Sequence, residues 1–72
     1  MAAVVWERSG DAFYATSEVA PGAERYYLIV ERLPKGGWDW SVWRQREGWR
    51  NIRHGTADTE LRGMWEAEQA AR

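Results

Sequence analysis

The centre of the chain alternates between apolar and polar residues in a pattern typical of β-strands. In residues 38–45 the side chains of Trp38, Trp40 and Val42 fall on one side of an extended strand. The preceding residues 25–33 are rich in aromatic and β-branched side chains, which favour strands. Between the two, residues 34–37 have the proline and glycine content of a hairpin loop.

Turn residues bound the other predicted strands. After a turn at residues 46–48, residues 49–54 predict a short strand that ends at Gly55. Near the N-terminus, residues 4–9 and 12–19 predict two further strands, and Ser9, Gly10 and Asp11 supply the turn at the end of the first. Pro21 and Gly22 then interrupt the chain.

The period changes from two to that of a helix in the last part of the chain. A helix over residues 57–71 is predicted by the spacing of Ala57, Leu61, Met64, Trp65, Glu68 and Ala71. Its N-cap candidates are Thr56, Asp58 and Thr59, whose side-chain oxygens can accept from free backbone N–H groups.

The predicted helix has an apolar stripe that we expect to pack on the sheet. Leu61, Met64 and Trp65 should lie above Trp38, Trp40 and Val42. Gly63 weakens a helix by about 1 kcal/mol relative to alanine, and its small size favours close approach to the sheet. Glu68 lies near the middle of the stripe, and we expect its carboxylate to reach an arginine past the sheet edge.

Together these elements predict one α+β domain, with an antiparallel sheet of three to five strands packed by one C-terminal α-helix. The domain spans residues 1–72, divided into N-terminal strands (1–24), a three-stranded meander (25–54) and the helix (57–71). A chain of this size buries about 60% of its unfolded surface, so its stability is expected to be marginal.

A sheet with one helix has a second face that the helix does not cover. On that face we expect Trp43 and, from neighbouring strands, some of Tyr27, Ile29, Trp49 and Ile52. One way to cover this face is a hairpin of the N-terminal segment, formed by Val4, Val5, Trp6, Phe13 and Tyr14. We favour the alternative, in which the N-terminal strands widen the sheet and leave the residues of the second face as a partly exposed patch. Apolar patches of this kind mark interfaces. The candidate protein-binding residues are therefore Trp43, Trp49, Tyr27 and Ile29, and the expected partner is another protein or a second copy of the chain.

The chain lacks the residues that most enzyme chemistry needs. It has no cysteine, and its one histidine is His54. Its glycine pair joins two predicted strands and does not precede a helix, so no phosphate-binding loop is present. We therefore expect no catalytic residues, no metal, no cofactor and no small-molecule substrate.

Charge is distributed unevenly along the chain. The formal net charge is −1, but residues 25–54 carry seven basic and three acidic side chains, a net of +4. The alternative function is therefore nucleic-acid binding through this basic, tryptophan-rich sheet, because aromatic side chains interleaved with arginine can stack bases and contact phosphates. Its candidate residues are Arg32, Arg44, Arg50 and Arg53.

Residues 27–71 resemble the plant ethylene-response (Apetala-type) DNA-binding domain and the architecturally similar N-terminal domains of phage integrases. The resemblance rests on Tyr27, Val30, Pro34, Gly36 and Trp38, on the run at residues 55–59, and on Ala67, Ala70 and Ala71. It implies three strands followed by a helix, and DNA contact through the sheet. Where the family presents arginines to DNA, this chain has Glu31 and Leu33, and a carboxylate there would be repelled by phosphate.

The remaining sequence features bear on location. The absence of cysteine fits a reducing compartment. The first residues lack the basic start and apolar run of a signal peptide, and the apolar run at residues 26–30 is too short to cross a membrane. We therefore expect a cytoplasmic protein without a membrane segment.

Overall fold

Five antiparallel strands and one helix form the fold. The computed structural model describes residues 4–18, 25–45 and 48–71. The elements are β1 (Glu7–Ser9), β2 (Ala12–Glu18), β3 (Arg25–Arg32), β4 (Trp38–Gln45), β5 (Trp49–Ala57) and α1 (Glu60–Ala70). Strands that are neighbours in the chain are also neighbours in the sheet, in the order β1-β2-β3-β4-β5. The predicted α+β class, with an antiparallel sheet and one C-terminal helix, is confirmed.

Successive side chains along each strand point to opposite faces of the sheet. The helix packs on one of these faces, which we call the helix face. On the helix face Leu28, Val30 and Val42 are fully buried. The helix packs across β3, β4 and β5. Beside it, Val4 and Trp6 pack against the core cluster that includes Ala15 of β2. The N-terminal segment therefore closes the core on the same face as the helix.

The first strand is shorter than predicted, because two of the residues that precede it pack against the core. It begins at Glu7 rather than Val4. Before Glu7, Val4 and Trp6 pack against the core, where burial of apolar side chains is favourable, while Val5 between them is 72% exposed. The predicted turns at Pro21 and Gly22 and at Arg46 and Glu47 lie outside the described residues, as does Val19.

The helix packs through small residues, which corrects the predicted stripe. Leu61 is 74% exposed and Trp65 is 49% exposed, so neither lies beneath the helix. The buried helix positions are Gly63 and Ala67, followed by Ala71 at the C-cap. A Cβ added at Gly63 would lie 3.2 Å from Val30 Cγ1, so the helix sits too close to the sheet for large side chains between them.

The helix begins three residues later than predicted, at Glu60. Thr59 is the N-cap, one of the predicted candidates, and its Oγ1 accepts from the backbone N–H of Arg62 at 3.2 Å. The residues before it extend β5, which runs through Gly55 to Ala57.

Gly55 lies within β5 and does not end the strand as predicted. Its lack of a side chain leaves room for an aromatic ring of the neighbouring strand. A Cβ built at Gly55 would lie 2.7 Å from Trp40 Cζ2. The Trp40 ring therefore lies directly on the backbone of the neighbouring strand, where any larger residue would collide with it. Glycine within a strand often marks such a close approach.

Two indole N–H groups bind carboxylates of the helix. Trp40 Nε1 donates to Glu66 Oε2 at 2.8 Å, and Trp6 Nε1 donates to Glu68 Oε1 at 2.8 Å. The prediction that Glu68 binds an arginine is therefore wrong, because its partner is Trp6. Hydrogen bonds to charged groups contribute about 1.5–3 kcal/mol. These two tie the helix to the sheet and to the N-terminal segment.

We predict that Gly55→Ala destabilises the fold by about 1–3 kcal/mol, because the added methyl displaces the Trp40 ring. Chemical denaturation of a Gly55/Trp40 double-mutant cycle checks this. In a Trp40→Leu background the same glycine substitution should cost much less. An equal cost in both backgrounds would show that the ring contact is not the cause.

Candidate functional site: an uncovered aromatic sheet face

The face of the sheet opposite the helix carries the predicted apolar set. Alternation along β3 places Tyr27 and Ile29 there, and Tyr27 is paired directly with Trp43 of β4. These three residues and Trp49 line one open depression of about 280 Å³. The structure therefore brings together all four candidate protein-binding residues. With Tyr14, which joins them through Tyr27, they form the surface that we call the aromatic face.

A β-bulge places Trp49 on this face. The register pairs Val42 with Arg53 but Trp43 with Asn51, so Ile52 is an extra residue in β5. Ile52 packs against the core on the helix face. The extra residue reverses the alternation of the remaining strand, so Trp49 emerges beside Tyr27 and not beneath the helix. Ile52 is therefore not part of the exposed patch.

Ring contacts connect the aromatic side chains across three strands. The ring centroids of Tyr14 and Tyr27 are 6.0 Å apart, and those of Tyr27 and Trp49 are 5.6 Å apart. Both lie within the range of favourable aromatic pairs. Trp43 Nε1 donates to Ser41 Oγ at 3.1 Å, which fixes the indole plane. On the far side of Tyr27, a second depression of about 380 Å³ includes Glu7 and Thr16 in its lining.

The aromatic face is partly open to solvent. Trp49 is 51% exposed, while Tyr27, Ile29 and Trp43 are half-buried among one another. The helix, Val4 and Trp6 lie on the other face, while the exposed Val5 borders only the second depression, beside Tyr14 and Tyr27. The expectation that the N-terminal strands widen the sheet is confirmed, because β1 and β2 add to its edge.

Charged residues are grouped at the ends of the aromatic face. Glu31 is directly opposite Asp39 across β3 and β4, near the hairpin that joins these strands. Arg25 lies at the other end of β3, paired with Gln45 on one side and with Glu18 of β2 on the other. The face thus has an end with two paired carboxylates, an apolar centre and an end where an arginine is opposite a glutamate.

The four arginines of the nucleic-acid alternative do not share the aromatic face. Arg32 and Arg44 are paired with Trp38 and Tyr26, residues whose strand positions belong to the helix face. Arg50 is directly opposite Arg44 on that same side. Arg53 is paired with the buried Val42 beside the bulge.

The described residues hold no group of three His, Cys, Asp or Glu side chains able to bind a metal ion. His54 is an exposed residue of β5, opposite Ser41. The helix α1 has 11 residues, and no helix among residues 4–18, 25–45 and 48–71 is long and apolar enough to cross a membrane.

Sequence reasoning missed two features of the site. Tyr14 was not placed in the predicted patch, although its position opposite Ile29 places it on the aromatic face. The direct pairing of Glu31 with Asp39 depends on the hairpin register. The predicted loop at residues 34–37 would pair Glu31 with Trp40 instead, because loop length fixes hairpin register, whereas a backbone hydrogen bond from the Leu33 N–H to the Gly37 carbonyl shifts the pairing by one residue.

Comparison of the chain with protein-family models, with curated proteins and with solved structures finds no match. No family is therefore shown, and the resemblance of residues 27–71 to the Apetala-type domain stays a prediction.

We predict that Trp40→Ala and Trp49→Ala differ clearly in their effect on stability. Removing Trp40, which packs against the core, should cost about 3–5 kcal/mol. Removing the half-exposed Trp49 should cost well under half of that, because less apolar surface is lost from the interior. Urea unfolding of both variants measures the difference. Similar losses would mean that Trp49 is a core residue.

Proposed function

We propose that the protein is a non-catalytic binding module that holds another polypeptide chain on its aromatic face. The observation that carries this proposal is the arrangement of Tyr27, Ile29, Trp43 and Trp49 around one depression on a sheet face that no other element of the described chain covers. Aromatic side chains in such positions are the usual energetic centres of protein interfaces.

The physical properties of the face support this use. Its aromatic side chains extend from a hydrogen-bonded sheet and contact one another, so they lose little conformational freedom on binding. Burying them would contribute roughly 25 cal/mol per Å² of apolar surface, before the costs of association. A preformed surface of this kind favours binding over catalysis, which needs a nucleophile, a base or a metal.

The distribution of charge favours a polypeptide over nucleic acid as the partner. Binding to single strands combines aromatic stacking with cations along the same groove. Here the aromatic face has Glu31 and Asp39 at one end, whereas Arg44 and Arg50 lie on the helix face. Phosphates would be repelled where the bases could stack.

We expect a photo-crosslinking amino acid at position 49 to form discrete protein adducts, in the purified protein or in an extract of the cells that make it. Benzoylphenylalanine at position 65 is the matched control, because Trp65 and Trp49 are 49% and 51% exposed but lie on different faces. The adduct yield, measured by electrophoresis and mass spectrometry, should be much higher at position 49.

The second control is Trp43→Glu in the protein with the probe at position 49. A charge in the lining of the depression should abolish the adducts while circular dichroism remains that of a folded protein. Equal yields from positions 49 and 65, or adducts that persist with Trp43→Glu, would contradict binding at the aromatic face.

We expect no salt-sensitive binding of short duplex or single-stranded DNA or RNA. Fluorescence anisotropy with labelled oligonucleotides at about 50 and 200 mM salt tests this, because phosphate contacts make affinity fall steeply with salt. A steep salt dependence that Arg50→Glu removes would instead support the nucleic-acid alternative.

A further inference from the structure

Two carboxylates at the acidic end of the aromatic face are placed unfavourably within their own chain. Glu31 and Asp39 are direct cross-strand partners, and like charges in this relation are destabilising. Among residues 4–18, 25–45 and 48–71 neither carboxylate has a hydrogen bond or an ion pair. A cation brought by a partner would relieve the repulsion.

The other end of the same face carries such a cation. Arg25 begins β3 and shares its alternation with Tyr27, Ile29 and Glu31. Glu18 of β2 is directly opposite Arg25, and Arg25 already has an interaction within its own chain. A guanidinium has five N–H donors, so it can bind a further carboxylate. Along β3 the face therefore runs from a cation through an apolar centre to a carboxylate.

Two copies of this face have complementary charges when they stack with opposite strand directions. A two-fold axis between the stacked sheets, perpendicular to their strands, places Arg25 of each copy over Glu31 of the other. At the centre, Tyr27 of each copy meets Ile29 of the other. An axis parallel to the strands would instead bring the two acidic ends together, which is unfavourable.

We infer that the aromatic face binds a second copy of this chain, in a two-fold dimer whose stacked sheets run in opposite strand directions. The inference deepens the proposed function and rests on it, because it names the occupant of the same face. The dimer buries the aromatic centre of both copies and pairs Arg25 with the Glu31–Asp39 carboxylates at both ends.

The size of the face agrees with this occupant. The five strands have 3, 7, 8, 8 and 9 residues, and at about 4.8 Å between strands and about 3.3 Å per residue they span roughly 550 Å². Two such faces give about 1,100 Å² in total, just below the roughly 1,200–2,000 Å² of standard specific interfaces, which fits a weak dimer. Two sheets that stack face to face normally lie about 10 Å apart and enclose apolar side chains, as the aromatic faces would.

Sedimentation equilibrium of charge-reversed variants tests the inference. The parent should dimerise below about 1 mM, and Arg25→Glu and Glu31→Arg should each weaken the dimer about 10-fold or more, because each places like charges together twice. An equimolar mixture of the two variants should regain the affinity of the parent, because the mixed dimer restores opposite charges at both ends. Low salt is needed, since screening weakens exposed pairs.

Arg50→Glu is the matched control. It makes the same charge change near the same end of the sheet, but its position, opposite Arg44, belongs to the helix face. Its dimer should be as tight as that of the parent. Glu31→Gln provides a second readout that does not depend on charge reversal. It should raise the thermal stability of the dilute monomer, because it removes the repulsion from Asp39, and yet weaken the dimer.

Two results would overturn the inference. A parent that stays monomeric at about 1 mM rules out a second copy as the occupant. The proposed function would then depend on whether the probe at position 49 links a different protein. A parent that dimerises, while the mixed variants fail to regain affinity, rules out the reversed strand arrangement.

Discussion

One short helix cannot cover both faces of a five-stranded sheet, and the rest of the structure follows from this constraint. With 11 residues the helix is about 16 Å long, and it packs across β3, β4 and β5 on one face. The Val4–Trp6 segment extends this cover over β2, and the indole of Trp6 binds Glu68 at the side of the helix. Both covering elements therefore serve the same core, and no helix among the described residues packs over the aromatic face.

The covered face is organised around close backbone approach rather than large helix side chains. Gly63 and Ala67 bring the helix near the sheet, so the volume between the layers is filled from the sheet side by Val30, Leu28 and the Trp40 ring. Large residues on the helix are then displaced outward, where Trp65 is contacted by the Arg62 guanidinium at 4.7 Å from its ring centroid. The tryptophans thus act in different ways. Trp6 and Trp40 hold the core together, and Trp43 and Trp49 form the open face.

The accuracy of the sequence-based predictions depended on whether the deciding contact was local. A period of two along β4 was enough to separate Trp40 from Trp43, and it correctly grouped Trp43 with Tyr27 and Ile29. The orientation of the helix was wrong because periodicity favours large apolar residues, whereas the sheet-facing positions are small ones. The role of Gly55 could not be predicted, since a glycine that admits a ring from the next strand looks the same in sequence as one that ends a strand. The bulge at Ile52 likewise depends on pairing with β4, yet it decides where Trp49 lies.

The same bulge links the fold to the proposed function. Gly55 is opposite Trp40, a residue of the helix face. Without the extra residue, regular alternation from Gly55 to Trp49 would place Trp49 on the helix face as well, near Arg44. The bulge instead adds Trp49 to Tyr27 and Trp43, and it packs the partly buried Ile52 against the core. A local irregularity thus stabilises the core and enlarges the exposed apolar surface at once. A larger exposed apolar surface lowers the solubility of a protein unless another molecule covers that surface. This face, with two paired carboxylates at one end, an arginine opposite a glutamate at the other and apolar rings between them, is the surface that we propose another chain covers.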